Sequence, residues 1–437
     1  MKIWFKKLKR VYLSVINSIA FYPSLLTVFF FFVSFIVIQI EFKEIVIDFK
    51  ENISPVLVHS SDNARLILGT IVGSLISLMV FSFSMVMVVL NSATATLSPR
   101  VLPGLISNKF HQIVLGFYIG SIIFSLNLIV NIDSPDIEYA TPSLGIFFSM
   151  LLSIICLGLF VYFIHSISQQ IQVDNIMNNI YKSTQTEIER LETADQNADT
   201  IDTENWIEHR ADTSGYLKLI DYEGLQHFCQ THHLKIKVNI TLGDFVTRHY
   251  PFLQTNLQLD EEKKKNLMSN FILYTQERVA DHFSFGFKQI SEIAVKALSP
   301  GINDPGTAKK AIDLLSDLFI QMMFIKEKNY LTDEEDQVCV YLNPITYEDL
   351  LYKTLIPIRE YGSSDIMIFM ALLDCMARML YVDGDRHEYS SILQKFIQNL
   401  VDCSAKHVNN PLDKDRINRR IVNINNQLPS KLKIEAI

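Results

Sequence analysis

Apolar residues fall into two regimes along this chain: four long unbroken runs before about position 173, and short periodic groups after it. The runs cover 21–40, 66–97, 112–132 and 139–167. Each reaches the roughly 20 residues a helix needs to cross a hydrocarbon core, and none contains an Asp, Glu, Lys or Arg. The first run also invites comparison with a signal peptide. Its apolar core is too long for one, no A-x-A site follows, and three further runs come after it, so an anchor is expected.

The second run is the most informative. Its charge-free interval, 66–99, would reach roughly 50 Å as a helix against a hydrocarbon core of about 30 Å, so it must tilt or project beyond the membrane. Thr70, Ser77, Ser84, Asn91 and Ser98 recur at seven-residue intervals along it, with Ser74 on the same face. Seven residues is close to two turns, so these side chains form one slowly drifting polar stripe. Gly69, Gly73 and Ser77 make a ridge of small residues beside it, and further small pairs stand at Gly116 and Gly120 and at Gly145, Ser149 and Ser153. Two readings stand: the small and hydroxyl residues let helices pack closely, or a ring of such helices lines a hydrated path.

After the fourth run the period changes. Val173, Ile176, Ile180, Ile188 and Leu191 keep helical spacing with no breaker before them, which predicts a stalk helix over 174–192 continuing the fourth span. A polar linker is expected over 193–213 and a small β-rich module over 214–258, where Tyr216–Ile220 and Leu234–Ile240 alternate. From 259 to 437 the chain reads as mainly helical, with helices near 261–282, 285–298, 305–327, 346–360, 364–382, 387–405 and 412–427 and one strand near 338–342. The predicted fold class is a membrane α-helical protein: four transmembrane helices over residues 1–173, plus a mainly helical α+β cytoplasmic domain.

Composition and charge sharpen this picture. Of 437 residues 49% are hydrophobic and 20% charged, against about 25% charged in an ordinary soluble domain. Residues 1–173 carry 10 basic and 8 acidic side chains, net +2; residues 174–437 carry 29 and 39, net −10. Lys2, Lys6, Lys7, Lys9, Arg10, Arg100 and Lys109 fall on one side of the spans, while Glu41, Glu44, Asp48, Glu51, Asp62, Asp133, Asp136 and Glu138 fall on the other. The positive-inside rule then puts the N-terminus and the C-terminal domain in the cytoplasm of a multi-pass bacterial inner-membrane protein. The acidic balance argues against a nucleic-acid partner, and five cysteines without CxxC pairing argue against a disulfide framework.

Candidate chemistry is sparse. The chain has no P-loop, G-x-S-x-G, H-E-x-x-H or G-x-G-x-x-G, so an enzyme is disfavoured, and neither a cofactor nor a metal is expected. His232-His233 and Asp383-Gly384-Asp385 are metal-like in composition only. In Ala297-Leu298-Ser299-Pro300-Gly301-Ile302-Asn303-Asp304-Pro305, Pro300 ends a helix and Pro300-Gly301 suits a type II turn. Asp304 with Pro305 suits the start of the next helix. The segment reads either as a structural corner or as a ligand site at a helix N-terminus, with Lys309 and Lys310 beside an anion.

At this point the chain resembles a family of predicted bacterial membrane proteins catalogued as a domain of unknown function. The matching residues are Ser98-Pro99-Arg100-Val101-Leu102, Phe163-Ile164-His165 with Gln172-Val173, Ser214-Gly215-Tyr216 and Gly243-Asp244-Phe245-Val246. Arg278 with Asp281 and Ala297 through Pro305 complete them. Asn91–Ala95, where the family tends to a Gln/Ser-rich string, and Gly306, where a larger residue is usual, depart from its pattern. The resemblance implies four spans and a cytoplasmic domain. It adds Arg278 and Asp281 to Ser299, Gly301, Asn303, Asp304 and Lys309 as ligand or interface candidates.

Two functions follow as expectations. One is a homo-oligomeric channel or passive transport protein lined by Thr70, Ser74, Ser77, Ser84, Asn91 and Ser98, with Asp62, Arg100 and His165 at its mouths. Its acidic outer mouth would favour cations. The other is a non-conducting sensor or scaffold whose cytoplasmic domain binds a small molecule or a protein. The expected partners are the lipid bilayer, further copies of the chain, and a small ion or cytoplasmic ligand.

Overall fold

The fold is taken from a computed structural model, which describes residues 20–41, 43, 50, 57–96, 109–132, 141–170, 172–191, 198, 201–274 and 282–436, the side chains of 92–96, 170 and 404 excepted. The chain divides into two compact units at Gln172/Val173.

The first unit holds four helices long and apolar enough to cross a membrane: α1 (Phe21–Ile40), α2 (Ser61–Thr96), α3 (Lys109–Val130) and α4 (Ser143–Gln170). Small residues set their spacing. A Cβ on Gly116 would stand 2.6 Å from Leu26 Cδ1, and one on Gly120 would collide with the Phe30 ring, so α3 meets α1 on a face that only glycine permits. Gly145 plays the same part on α4, where a Cβ would lie 2.7 Å from Leu128 Cδ2. Hydroxyls and amides stitch the interior: Ser125 and Ser149 Oγ lie 2.6 Å apart, and Asn127 Nδ2 donates to Ser34 Oγ at 2.6 Å. Ala64, Leu68 and Leu75 carry the inner face of α2 into this core beside Phe124, Leu128 and Tyr118.

The second unit begins with α5 (Val173–Glu189). Here the structure departs from the expected stalk. The described helices end at Gln170 and restart at Val173, and α5 is an integral part of the second unit. Ile176, Met177, Ile180, Thr184 and Ile188 are all buried. Its helical stripe needs an apolar partner, and α8 (Phe283–Ala297) and α9 (Pro305–Met322) supply it. The approach is so close that a side chain on Gly286 of α8 would collide with Thr184.

A sheet module follows. Strands β1 (Ile207–Arg210), β3 (Ile236–Val238), β5 (Pro251–Thr255), β7 (Tyr330–Thr332) and β8 (Val338–Tyr341) form a sheet in the order β1-β5-β3-β8-β7. Only the β3–β8 pair is parallel. A second sheet joins β4 (Phe245–Val246), β2 (Gly215–Ile220) and β6 (Phe271–Tyr274) in the order β4-β2-β6. The segment expected to be a polar linker therefore contains β1, whose His209 is buried with Nε2 2.7 Å from Thr255 Oγ1. A helix, α6 (Tyr222–His232), interrupts the expected β-rich stretch; Asp221 caps it by accepting from the Gly224 amide. The helix expected over 261–282 is in fact α7 (Glu261–Met268) followed by β6. Asn270 Nδ2 donates to the Asn266 and Leu267 carbonyls, closing the helix, and Phe271–Tyr274 then pair with β2.

The remaining helices are α10 (Tyr347–Gly362), α11 (Ile366–Asp383), α12 (Ser390–Ser404) and α13 (Pro411–Gln427). Asp304, Thr346, Asp365 and Asn410 cap α9, α10, α11 and α13 with side-chain acceptors for otherwise unpaired first-turn amides.

Candidate functional site

Among the polar and small residues singled out on α2, those within the described side chains share one surface. Gly69, Thr70, Gly73, Ser74, Ser77, Ser84 and Asn91 are all exposed, on the side away from Ala64, Leu68 and Leu75. A Cβ on Gly69 or Gly73 would meet no atom within 4 Å. Thr70 Oγ1 donates to the Leu66 carbonyl at 2.7 Å and Ser77 Oγ to the Gly73 carbonyl at 2.9 Å, which satisfies their hydrogens while leaving oxygen lone pairs outward. The small residues of α3 and α4 behave in the opposite way, since Gly116, Gly120, Gly145 and Ser149 are consumed inside the bundle. In the most apolar stretch of each helix, 11% of residues are buried on α2 against 50% on α3. So α2 spends one narrow edge on its own unit and turns this small and polar stripe outward, interleaved with exposed apolar side chains that include Leu66, Val80, Phe83 and Val88. At 36 residues it extends roughly 54 Å.

Of the expected mouth residues, Asp62 is exposed in the first turn of α2 and Arg100 lies outside the described residues, as does Ser98. His165, also expected at a mouth, is exposed on α4. A buried carboxylate among the described residues is Glu41, just beyond α1. Its carboxylate accepts from the Leu144 amide at 2.9 Å and the Gly145 amide at 3.1 Å, and pairs with Lys50. It thereby caps α4, where a negative charge also meets the positive end of the helix dipole. In the sequence Glu41 is one of eight acids on the same side; no local motif distinguishes it, because the amides it caps lie about a hundred residues away.

The Ser299–Asp304 corner is structurally self-contained. Asp304 Oδ1 accepts from the Thr307 amide at 3.1 Å and Oδ2 from the Thr307 hydroxyl at 2.6 Å, and these bonds hold its carboxyl below the usual range. The carboxylate thus occupies the helix N-terminus that an anion would need. Ser299 Oγ donates to the Lys296 carbonyl at 2.7 Å, and Gly301 is exposed. The turn is not type II. Gly301 keeps a negative φ, and the left-handed residue is Asn303 at φ 50°. Asn tolerates that conformation, and it turns the Asp304 amide back onto the Ala297 carbonyl at 2.8 Å. Lys310 pairs with Asp174 of α5 at 3.0 Å, and Lys309, exposed on the same first turns of α9, is not drawn into the corner's bonds. Arg278 and Asp281 lie outside the described residues.

Two other motifs come together. Gly215 and Tyr216 pair with Val246 and Phe245 across β2–β4, and at Gly243, φ 92°, an added Cβ would stand 3.3 Å from the Phe285 ring. Of the metal-like pairs, Asp383 anchors the loop after α11 and His233 takes the left-handed position ending α6.

Four apolar helices and a mixed helix–sheet unit define a multi-span membrane protein. The chain belongs to the family described as Predicted membrane protein (DUF2254), whose model matches residues 16–378. It is 22% identical over 333 residues to the uncharacterized proteins MT1328 and Rv1290c of two Mycobacterium tuberculosis strains and Mb1321c of Mycobacterium bovis, an overlap covering 72% of this chain and 63% of each relative. The match therefore spans less than two thirds of those relatives. No solved structure matches the chain.

Proposed function

We propose that the protein is a subunit of a homo-oligomeric channel or passive transport protein of the bacterial inner membrane, with its N-terminus and second unit in the cytoplasm. The observation that carries this reading is the outward placement of the polar stripe of α2. Left toward lipid, Thr70, Ser74, Ser77, Ser84 and Asn91 would gain nothing, whereas small and hydroxyl residues favour close helix association. Around a symmetry axis the same residues present neutral oxygens along a hydrated path. No Asp, Glu, Lys or Arg stands along the stripe, which suits passive flow better than ion-coupled pumping. The outer acids, Asp62 among them, would favour cations.

Purified protein in planar bilayers is expected to conduct, and Asn91→Leu to change that conductance. Protein that stays electrically silent across ions, voltages and membrane tensions would sink the proposal and leave the sensor or scaffold reading, in which the α2 faces pack dry against one another.

A further inference from the structure

The Ser299–Asp304 corner closes its own hydrogen bonds and yet stays on the surface, with Pro300, Gly301, Asn303 and Pro305 all exposed. Its place in the second unit gives that exposure a use. Helices α5 and α9 run parallel and in register. Lys310 Nζ meets Asp174 Oδ1 at 3.0 Å and, seven residues further along both helices, the Tyr181 hydroxyl donates to Asp317 Oδ2 at 2.5 Å. In this register Val173 is level with Lys309, so α9 starts four residues earlier, about 6 Å beyond the first residue of α5. The corner precedes that start. It therefore projects past the point at which the chain enters the second unit.

That point lies near the membrane on covalent grounds alone. The apolar run of α4 ends at Ile167, the polar Ser168-Gln169-Gln170 close the helix, and Val173 follows three residues later. Three residues span at most about 11 Å, a limit that holds for any arrangement of the two units.

A second loop, residues 361–367, extends the same surface. A Cβ on Gly362 would lie 3.3 Å from Leu298 Cδ1, beside the corner, and would collide with Ile368. The chain neighbours of this inward contact, Tyr361 and Met367, are 56% and 59% exposed. A tyrosine, with an apolar ring and a polar tip, suits a membrane–water interface, and methionine adapts to an irregular apolar layer. Each loop carries a single acid, and both acids are spent as helix caps. Asp304 accepts from the Thr307 amide, and Asp365 from the Met367 and Ile368 amides. These caps fix the loops in advance, which lowers the ordering cost of a contact. Lys309, exposed on the first turns of α9, brings a positive charge to the same end.

We infer that this end of the second unit rests on the phospholipid headgroup layer of the bilayer that the first unit spans. Tyr361 and Met367 enter the interface, Pro300, Gly301 and Pro305 lie against the headgroups, and Lys309 meets lipid phosphates. Because the unit is tethered to the membrane, the contact is intramolecular in effect and a weak one suffices. It does not depend on α2 lining a pore.

The test uses the full chain in vesicles of phosphatidylcholine and phosphatidylglycerol that carry a nitroxide quencher on some of their headgroups. Three reporters, Gly301→Trp, Tyr361→Trp and Tyr381→Trp, are made separately in a Trp4→Phe background, and each is read as its difference from that parent. A side chain on Gly301 starts in open space, with no atom within 4 Å of its Cβ. Tyr381, 76% exposed, lies fourteen residues along α11 from Met367, about 21 Å away, and serves as the control. Gly301→Trp and Tyr361→Trp are expected to lose emission to the nitroxide, and Tyr381→Trp to keep it. Lys309→Gln removes one charge outside the caps and should lower the ratio of docked to free units about fivefold, read as weaker quenching of Gly301→Trp. The melting midpoint of each variant confirms that the unit is folded. Unquenched Gly301→Trp and Tyr361→Trp, equal quenching of Tyr381→Trp, or quenching that Lys309→Gln leaves intact would each overturn the inference. None of these outcomes bears on whether the protein conducts.

Discussion

At the scale of single residues, the two carboxylates with the clearest work are both helix caps. Glu41 supplies acceptors for two α4 amides. Each buried donor left unpaired costs about 1–3 kcal/mol, so Glu41→Ala should lower the melting midpoint of the detergent-solubilised protein, and Glu41→Gln, which keeps one acceptor oxygen, should lower it less. Equal midpoints for all three proteins would show that the amides find other acceptors. Asp304 caps α9 more exposed to solvent, and Asp304→Ala should destabilise the second unit by about 1 kcal/mol. Its pH signature has a definite sign. The folded carboxyl titrates below the ordinary value of 3.8, so its contribution is complete above that pH and is lost as pH falls through the lower folded value. Trp206 fluorescence in a Trp4→Phe background reports this unit, and the gap between wild type and Asp304→Asn should close only in that acid window. Asp304 was legible because Asp-Pro at a helix start is a local pattern, whereas Glu41 was not, because the amides it caps are distant in the chain.

At the scale of elements, the glycines divide into those packed within the four-helix unit and those on its surface. Gly116→Leu forces a side chain against Leu26 and Pro23, and over-packing of this kind costs typically about 1–3 kcal/mol, so the subunit itself should melt earlier. Gly73→Leu meets nothing within 4 Å and should leave that midpoint unchanged, and, on the proposal that α2 faces associate, should lower the particle mass seen in light scattering. An unshifted mass would remove α2 from the association surface. The spans were readable because apolar runs of that length have few alternatives. The same logic failed at 261–282, where helical charge patterning in Glu261–Lys265 runs into Phe271–Tyr274. A four-residue apolar run carries no period of its own, and its pairing with β2, some fifty residues earlier, decided the outcome. β8, a strand the sequence did announce, pairs with β3 from about a hundred residues away, a partner no local pattern names.

At the scale of the whole molecule, the boundary between the units matters more than the count of elements. A helix read as a stalk would be dispensable to the second unit's stability, but α5 buries Ile176, Met177, Ile180 and Ile188 within it. Burying a large aliphatic side chain is worth about 1.5–3 kcal/mol, so these four together represent a sizeable share of the roughly 5–15 kcal/mol by which a domain is stable. The spacing of those residues was visible in the sequence, and only the identity of the partner was not: α8 and α9 follow about a hundred residues later. A fragment of residues 173–437 is therefore expected to be soluble and to melt cooperatively by Trp206 fluorescence. A fragment of residues 193–437, cut where a linker was expected, should expose the α8 and α9 faces and aggregate. If the shorter fragment melts like the longer one, α5 contributes nothing to the core and reverts to a connector. If it aggregates, the apolar stripe of α5 is core of the second unit, and a cut placed after that helix removes part of a folded domain.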